Sequence, residues 1–433
     1  MTWNFHHYYT NHTDGLIGAL LLKKQEKEKL KALRQKVRIR TKDVFEEATS
    51  IAKEVKQCML TLDNLRSRLS NTTLRYLSDD DQREVAKLIY DMDDEVRDEF
   101  LGLTPRFWTQ GSFQYNTLNR PFHLGQEMDI DDGTYMPMTM FESKPRIGHK
   151  LLLLLVDSSL KSLAAENPGW VFEAKQTCAR IKIPAEKTHI DVPMYAIPKD
   201  EFLKKQIAME CRASLNKAVC DSLDYAGMED YRRNYEVDSE NVNLALRDGD
   251  KGWTNSDPKI VEDWFNDSCR RIGVHLREVC RFMKAWRDAQ WDIGGPSSIS
   301  LMAATVNILD KVPHDKEDIG ATMKIVAEHL PYEFAKGVDS PDDTDDKRLF
   351  PPRSEHGRRE HDIMDKLESL SGILIEAESA ESKQKALEKI NTAFGNRVTD
   401  YTLIVTTQAV PAFKTAAASA SSPKKINSTM VSG

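Results

Sequence analysis

Residues 110–135 read QGSFQYNTLNRPFHLGQEMDIDDGTY. A Gly-Ser pair, Gly111 and Ser112, precedes two aspartates, Asp129 and Asp131, that are separated by a single isoleucine. Alternate side chains of a β-strand lie on the same face, so we expect both carboxylates on one face and Ile130 in the core. Two carboxylates this close raise each other's pKa unless a cation neutralises them, and such hard oxygen ligands suit Mg²⁺ or Mn²⁺. The segment therefore predicts a divalent-metal site on a strand.

A third aspartate, Asp191, lies in THIDVPMY at residues 188–195, again between two apolar residues. If the two strands pair, three carboxylates can hold two divalent ions, an arrangement that clamps the attacking and leaving oxygens of a phosphoryl transfer. The Gly-Ser turn then has a purpose, because free backbone N–H groups and a hydroxyl can hold a phosphate. The three pieces together predict metal-dependent transfer of a nucleotidyl group.

The composition indicates a globular protein: 433 residues, 40% hydrophobic and 30% charged. A net charge of -7 argues against sequence-independent binding to nucleic acid, which needs a surplus of Lys and Arg. Six cysteines without a C-x-x-C pair are typical of reduced thiols. The N-terminus lacks a secretory signal, and the longest apolar run, LLLLLV at 151–156, is too short to span a bilayer. We therefore expect a cytoplasmic protein with no membrane span.

The periodicity predicts an α+β fold with a mixed sheet. A long amphipathic helix is expected from Leu21 to about Cys58, and another helix over 148–166. Strands are expected in WVFEAK, CARIKI and THIDVPMY. Beyond Pro198 the pattern is mainly helical, with one helix from Pro258 to about Trp291. This predicts a unit over 1–198 with N-terminal spine helices, a helical lobe over 199–412 and a mobile tail over 413–433.

One stretch of the long helix is basic, with Arg34, Lys36, Arg38, Arg40 and Lys42. Such a run binds an anionic ligand or is simply a solvated helix face, and the sequence leaves both interpretations open.

The ordered set Gly111, Ser112, Asp129, Asp131 and Asp191 resembles the nucleotidyltransferase superfamily with a polymerase-β-like palm. The likeness continues into RFMKAWRD at 281–288 and GGPSSISLMAATVNIL at 294–309, which look like two helices of the oligoadenylate-synthetase and cGAS-like enzymes. In those enzymes the matching positions, here Lys284 and Ser298, hold the donor triphosphate.

The chain is similar over nearly its whole length to the bacterial DncV-type dinucleotide cyclases. The likeness is carried by TWNFHHYYTN, FWTQGSFQY, MDIDDGTYMPM, EKTHIDVPMYAIPKDEF, NSDPKIVEDWFNDSC and STMVSG. This resemblance implies an enzyme that joins ATP and GTP into 3′,3′-cyclic GMP-AMP in anti-phage signalling, with a downstream effector that binds the cyclic dinucleotide.

The resemblance also implies roles for individual residues. Asp129 and Asp131 would coordinate two Mg²⁺ ions, with Mn²⁺ an alternative, and Asp191 would complete the site and help to deprotonate the acceptor 3′-hydroxyl. The donor nucleotide would be held by the turn that comprises Gln110, Gly111, Ser112, Phe113, Gln114 and Tyr115. Tyr115 either stacks on a base or packs in the core.

Several further positions have two interpretations each. Arg180 and Lys182 neutralise an acceptor phosphate or are surface residues on an edge strand, and Ser256 contacts a nucleotide or caps a helix. Asp345 reads guanine or belongs to an uninvolved loop. His189 lies near the metals or is a structural histidine.

The sequence also leads to expectations about how the enzyme is controlled and about alternative functions. No His/Cys cluster resembles a zinc thumb, so no DNA activator is expected, and control would involve a small ligand at the basic helix or the tail. By resemblance, Gly433 would be a substrate for a ubiquitin-transfer-like E1/E2 enzyme. The alternatives are a template-free polymerase that makes linear oligoadenylate or extends RNA 3′ ends, and a non-catalytic nucleotide-binding sensor.

Overall fold

The structure is a computed structural model that describes residues 2–141, 144–145, 147–204, 242–247, 252–342 and 348–407. Within these ranges the fold is α+β, as predicted. The strands are β1 Trp3–Asn4, β2 Arg106–Gln110, β3 Met128–Met138, β4 Met140–Phe141, β5 Lys144–Pro145, β6 Val171–Ala174, β7 Ala179–Ile183, β8 Thr188–Val192, β9 Met194–Pro198, β10 Asn243–Ala245, β11 Trp253–Asn255 and β12 Val405–Thr406.

One set of helices packs on the strands and shares a hydrophobic core with them, and a second set forms a separate core. They are α1 His6–Thr10, α2 Leu16–Leu20, α3 Lys24–Lys56, α4 Leu62–Leu69, α5 Asp79–Tyr90, α6 Asp94–Leu101, α7 Gly111–Gln114, α8 His149–Glu166, α9 Pro258–Ile272, α10 Leu276–Gln290, α11 Ser298–Lys311, α12 Ile319–Lys336, α13 Arg358–Glu378 and α14 Lys383–Phe394. Short 3₁₀ turns are found at Thr73–Tyr76, Pro184–Glu186, Arg353–Glu355 and Tyr401–Leu403.

Among the described residues the main sheet has eight strands, in the order β11-β10-β9-β3-β8-β7-β6, with β2 also paired to β3. The long strand β3 is its centre, because β2 pairs with it antiparallel while β8 and β9 both run parallel to it. The predicted run THIDVPMY is divided into β8 and β9 at Pro193, which has no N–H to donate to the ladder. The carbonyl of Pro193 still accepts a 2.8 Å bond from the Thr134 amide, so the two strands stay in register with β3.

The predicted long helix is confirmed as α3, with Val37, Val44 and Ile51 among its buried residues. Of its basic residues, Lys36 and Lys42 are exposed, whereas Arg34, Arg38 and Arg40 are half-buried and make polar contacts within the protein. Arg38 makes a buried ion pair with Asp132 on β3, with Nε–Oδ2 at 2.7 Å. Arg34 donates to Thr109 on β2, and Arg38 also reaches that hydroxyl. Removing Arg38 would leave a buried, unpaired carboxylate, which typically destabilises a fold by about 3–5 kcal/mol.

The single helix predicted from Pro258 to Trp291 is wrong, because the chain forms two helices, α9 and α10. The break lies at Gly273, whose φ of 132° is outside the helical region and is readily adopted only by glycine. Asp257, not Ser256, caps the first of the two helices by accepting a bond from the Lys259 amide.

The two lobes do not divide simply along the chain. Trp3 to Leu20 pack into the hydrophobic core of the helical lobe, together with α10 to α14. Conversely, β10 and β11 follow residue 198 in the sequence but extend the sheet. The predicted division at residue 198 therefore falls inside the sheet. It also assigns Trp3 to Leu20 to the sheet domain, whereas these residues pack into the helical lobe. The predicted mobile tail, 413–433, lies outside the described residues. None of the described helices is long and apolar enough to cross a membrane.

Candidate active site

Strands β3 and β8 bring the predicted acidic residues together. Their parallel register places Asp129 opposite His189 and Asp131 opposite Asp191. Ile130 and Ile190, the residues between, are fully buried in the core on the opposite face. The predicted alternation of acidic and apolar faces is therefore confirmed, and it results from the two-residue repeat of a strand.

The chemistry of this cluster fits a divalent cation. Asp129, His189 and Asp191 each offer a ligand atom, and these atoms lie within 4.8 Å of one another. Burial, and then the negative charges of Asp129 and Asp191, raise the pKa of Asp131 to about 8. A carboxylate cluster of this kind repels itself until a cation neutralises it, and oxygen donors are the ligands that Mg²⁺ and Mn²⁺ prefer.

His189 lies inside the cluster, as one of its two interpretations predicted. Its Nδ1 is 2.9 Å from Glu127 Oε2, and its Nε2 is 3.0 Å from Asp129 Oδ1. The second contact is poorly aligned, so the buried Nε2 and Oδ1 atoms have no well-formed hydrogen bond among the described residues. Burial alone would lower the pKa of His189, but contact with Asp129 outweighs it and the pKa is raised. Two buried polar atoms thus face each other where a ligand for both would fit.

Arg180 is a counter-ion of this cluster. Its Nε and Nη2 donate to the two carboxylate oxygens of Asp191 at 2.6 and 2.7 Å. Because β7 lies between β6 and β8, the interpretation of Arg180 and Lys182 as residues of an edge strand is wrong. Lys182 makes an ion pair with Glu173, at 2.9 Å, on the neighbouring strand.

The Gly-Ser turn has a steric requirement that the sequence did not reveal. Gly111 has a φ of 63°, and a Cβ atom added to it would lie 1.9 Å from Asp131 Oδ2. Only glycine lets the backbone at the end of β2 approach this carboxylate so closely. Ser112 follows in the short helix α7, at the edge of the same cavity.

A cavity of about 540 Å³ separates this cluster from the helical lobe. That volume lies within the range of small-molecule sites. Eight candidate residues from the sequence line it, namely Gly111, Ser112, Tyr115, Asp129, Asp131, His189, Lys284 and Ser298. Asp191 lies behind them, beside Asp129 and His189. Tyr115 combines both of its interpretations, since it packs on Phe265 in the core and also borders the cavity.

The opposite wall of the cavity is formed by α10 and the start of α11. Lys284 is buried and donates from Nζ to the carbonyl of Thr117 at 2.8 Å. Burial, and then the positive charge of Arg287, lower the pKa of Lys284 to about 8. Ser298, the first residue of α11, accepts a 2.7 Å bond from Arg287 Nη1. The wall thus brings two cations, Lys284 and Arg287, to the cavity beside two carboxylates, Asp288 and Asp292.

Other predicted residues are oriented away from the cavity. The Gln110 side chain is buried between two tyrosines, donating to Tyr135 at 2.8 Å and accepting from Tyr195 at 3.3 Å. Phe113 packs against the core of the sheet and lies under Arg34, while Gln114 donates to Glu262 at 3.2 Å. Ser256 is not among the lining residues.

Sequence reasoning missed Glu127, Arg287 and Asp288, which also line the cavity. The spacing of Arg287 from Lys284, about one helical turn, was the signal that could have identified it. Asp345 and Gly433 lie outside the described residues.

Two family profiles match the chain. One is described as Cyclic GMP-AMP synthase DncV-like, nucleotidyltransferase domain, and matches residues 105–195. The other, Cyclic GMP-AMP synthase, C-terminal domain, matches residues 273–407. The first covers the acidic strands and the second covers the wall that carries Lys284.

Full-length relatives and solved structures agree with the profiles. A cyclic GMP-AMP synthase of Vibrio cholerae is 70% identical over 434 residues, covering 100% of both chains, and one of Escherichia coli is 60% identical over 433 residues with the same coverage. The solved structure of the Vibrio cholerae dinucleotide cyclase DncV with GTP and 5MTHFGLU2 has a TM-score of 0.87 and 69% identity. Another, with the linear intermediate 5′ pppA(3′,5′)pG, has a TM-score of 0.86, and both alignments cover 94% of this chain and 100% of the other. Because it matches the nucleotidyltransferase-domain profile and is 70% identical to a cyclic GMP-AMP synthase over its full length, the chain belongs to the cyclic GMP-AMP synthase family of DncV-like nucleotidyltransferases.

Proposed function

We propose that this nucleotidyltransferase joins ATP and GTP into 3′,3′-cyclic GMP-AMP and that it uses two divalent cations, Mg²⁺ or Mn²⁺, to do so. The main support is that Asp129, Asp131 and Asp191 converge on the side of the cavity opposite Lys284. The 70% identity to a cyclic GMP-AMP synthase supports the product, and the neighbour bound to pppA(3′,5′)pG supports a two-step route through a linear dinucleotide.

The three aspartates would hold the ions, with His189 as a further candidate ligand. Bound divalent ions would lower the pKa of the acceptor 3′-hydroxyl and neutralise charge on the reacting phosphate. In each transfer the 3′-oxygen attacks the α-phosphorus, pyrophosphate leaves, and the hydroxyl proton passes to solvent or to Asp191. Cyclisation needs two such transfers, with the linear intermediate turned over between them.

The chain's own residues would bind and orient the triphosphate. Gly111 and Ser112 would offer backbone N–H groups and a hydroxyl close to Asp131, while Lys284 and Ser298 would contact the phosphates from the helical lobe. Gln110 and Gln114 would act indirectly by fixing the turn, since their side chains bond to Tyr135, Tyr195 and Glu262. Arg180 would either contact the acceptor phosphate or remain with Asp191. Ser256 and Asp345 stay as predicted nucleotide contacts.

The wider role is also a proposal. We infer a cytoplasmic enzyme of an anti-phage pathway whose product activates a cyclic-dinucleotide effector and whose Gly433 is joined to a target by a ubiquitin-transfer-like E1/E2 enzyme. The 5MTHFGLU2 ligand of the Vibrio cholerae neighbour supports control by a small ligand.

Incubation of the protein with ATP, GTP and Mg²⁺, followed by phosphatase treatment and chromatography, tests the proposed function. We expect a phosphatase-resistant dinucleotide whose 3′,3′ linkages are identified by selective nuclease digestion. A ladder of linear products would instead support the template-free polymerase. Binding of nucleotides without any product, unchanged when Asp129 and Asp131 are replaced by Ala, would support the non-catalytic sensor.

A further inference from the structure

The helical wall of the cavity, formed by α10 and the start of α11, contains one arginine, Arg287, that has no role in the proposed function. Arg287 lies on α10 one turn after Lys284, and both residues line the cavity together with Ser298. The Arg287 side chain is 21% exposed, so it is largely enclosed but reachable from the cavity. An arginine in this position is a candidate phosphate contact, because its planar fork matches phosphate oxygens.

The guanidinium of Arg287 is oriented by two neighbours. Its Nη1 donates to Ser298 Oγ at 2.7 Å, while Nε and Nη2 donate to Asp288 Oδ1 at 2.9 and 2.6 Å. Since a guanidinium has five N–H donors, these bonds leave one hydrogen on each Nη atom. The remaining donors give the group capacity for an additional acceptor without loss of its present partners.

Asp288 is the carboxylate of this wall that pairs with Arg287. It also lines the cavity, with a side chain that is 13% exposed. Its carboxylate interacts favourably with Lys284 and with Arg397 as well as with Arg287. Arg287 and Asp288 are adjacent on α10, so their ion pair does not connect one element of the fold to another. The pair is therefore poorly explained by a purely structural role.

We propose that Arg287 is a specificity-determining contact for the β- and γ-phosphates of the bound nucleotide, and that the Asp288 carboxylate, which stays paired with its guanidinium, limits the strength of that contact. Triphosphate oxygens accept from the Nη hydrogens of Arg287, and the negative charge of Asp288 opposes their binding. A nucleotide that lacks the β- and γ-phosphates gains little from Arg287, so the pair discriminates by phosphate number. This inference rests on the proposed function only in taking a nucleoside triphosphate as the ligand.

Binding, measured apart from turnover, tests this inference. The affinity of the full-length protein for non-hydrolysable ATP and GTP analogues, and for AMP and GMP, is measured by calorimetry with Mg²⁺ present. Charge-assisted hydrogen bonds of this type are worth enough that Arg287→Gln should weaken the triphosphate analogues by about tenfold to a hundredfold. The monophosphates should change little. Asp288→Asn removes one opposing unit charge and should tighten the triphosphate analogues by about fivefold.

Arg271→Gln is the matched control. Arg271, on α9, makes an ion pair at 2.5 Å with Asp310 on α11, the helix that also carries Ser298, but neither residue of the pair lines the cavity. Its loss should leave nucleotide affinity unchanged. Arg287→Lys keeps the charge without the fork and should fall between the wild type and Arg287→Gln, which keeps the test decisive if the Gln variant does not fold.

Two results would overturn the inference. One is equal weakening of triphosphate and monophosphate binding by Arg287→Gln, which would indicate a general effect on the cavity. The other is unchanged binding of the triphosphate analogues in a folded Arg287→Gln variant. The proposed function is judged separately by the wild type's product: a wild type that makes no cyclic dinucleotide, yet binds triphosphate through Arg287, contradicts the function and retains the inference.

Discussion

Each of the two cavity walls holds a charged group whose pKa is shifted towards the same value, upward on the strand wall and downward on the helix wall. On the strands, burial and then the neighbouring Asp129 and Asp191 raise the pKa of Asp131 from 3.8 to about 8. On the helices, burial and then Arg287 lower the pKa of Lys284 from 10.5 to about 8. Each shift means that the charged form is disfavoured in the ligand-free protein.

This contrast separates binding from stability. A carboxylate with a raised pKa weakens the fold as pH rises from about 4 to about 8, because the unfolded state loses this proton over that range while the folded state retains it. Cations would stabilise the strand wall, and triphosphate would stabilise the helix wall, so a metal-nucleotide complex satisfies both at once. The charges are therefore better explained by a ligand than by the stability of the chain.

Replacement of Asp131 by Asn should have the largest effect and breaks the acidic wall. We expect the rate of dinucleotide synthesis to fall by about a thousandfold or more, because charge stabilisation by metal ions is worth several kcal/mol. The ligand-free variant should unfold at an equal or higher temperature at pH 8, since a repelled charge is removed. Product chromatography and thermal denaturation measure the two effects.

Asp80→Asn, on the exposed start of α5, is the control for Asp131→Asn and should alter neither quantity. Retention of synthesis by Asp131→Asn would contradict the catalytic assignment.

Replacement of Gly111 by Ala should have the next largest effect, because it disturbs the acidic wall without removing a charge. The added Cβ would collide with Asp131 Oδ2, so the carboxylate or the turn must shift. Displacements of about 1 Å in a catalytic group reduce rates by about a hundredfold, and we expect a loss of that order in kcat.

Gly125→Ala is the matched control for Gly111→Ala, since nothing lies within 4 Å of its added Cβ and its φ is not positive. Similar kinetics for Gly111→Ala and Gly125→Ala would show that the turn tolerates a side chain.

The affinity for Mn²⁺ sharpens the comparison through pH. Below pH 8 Asp131 holds a proton that a cation must displace, so binding should weaken by about tenfold for each pH unit from 8 to 6. Electron paramagnetic resonance of free Mn²⁺ measures this affinity directly. In Asp131→Asn the dependence should become shallower, and an equally steep dependence in that variant would assign the proton to another group.

The smallest expected effect concerns the alkaline side of the profile and the cationic wall. As pH rises through about 8, Lys284 loses its proton and its attraction for triphosphate, so the KM for nucleotide should increase several-fold between pH 7.5 and 9. Lys284→Arg keeps its charge throughout this range and should flatten the increase. Steady-state kinetics over that range, with Mg²⁺ saturating, provide the measurement, and an unaltered increase in Lys284→Arg would exclude this lysine as its source.

The sequence by itself determined the features that depend on near neighbours. Alternation of acidic and apolar residues along β3 and β8 shows which face each side chain takes, because successive residues of a strand point to opposite faces. The apolar repeat of α3 is likewise local, and the helix that it predicted is confirmed. The group of candidate metal ligands could be predicted because these residues occupy such strands.

The tertiary structure alone decided which distant side chains meet. Gln110 belongs to the predicted nucleotide-binding turn, yet packing between Tyr135 and Tyr195 directs its side chain away from the cavity. Arg180 neutralises Asp191 only because β7 lies beside β8, and Arg287 contacts Ser298 only because α11 packs across α10. These contacts depend on strand order and helix packing, which residues far apart in the chain establish together, so no local pattern in the sequence encodes them.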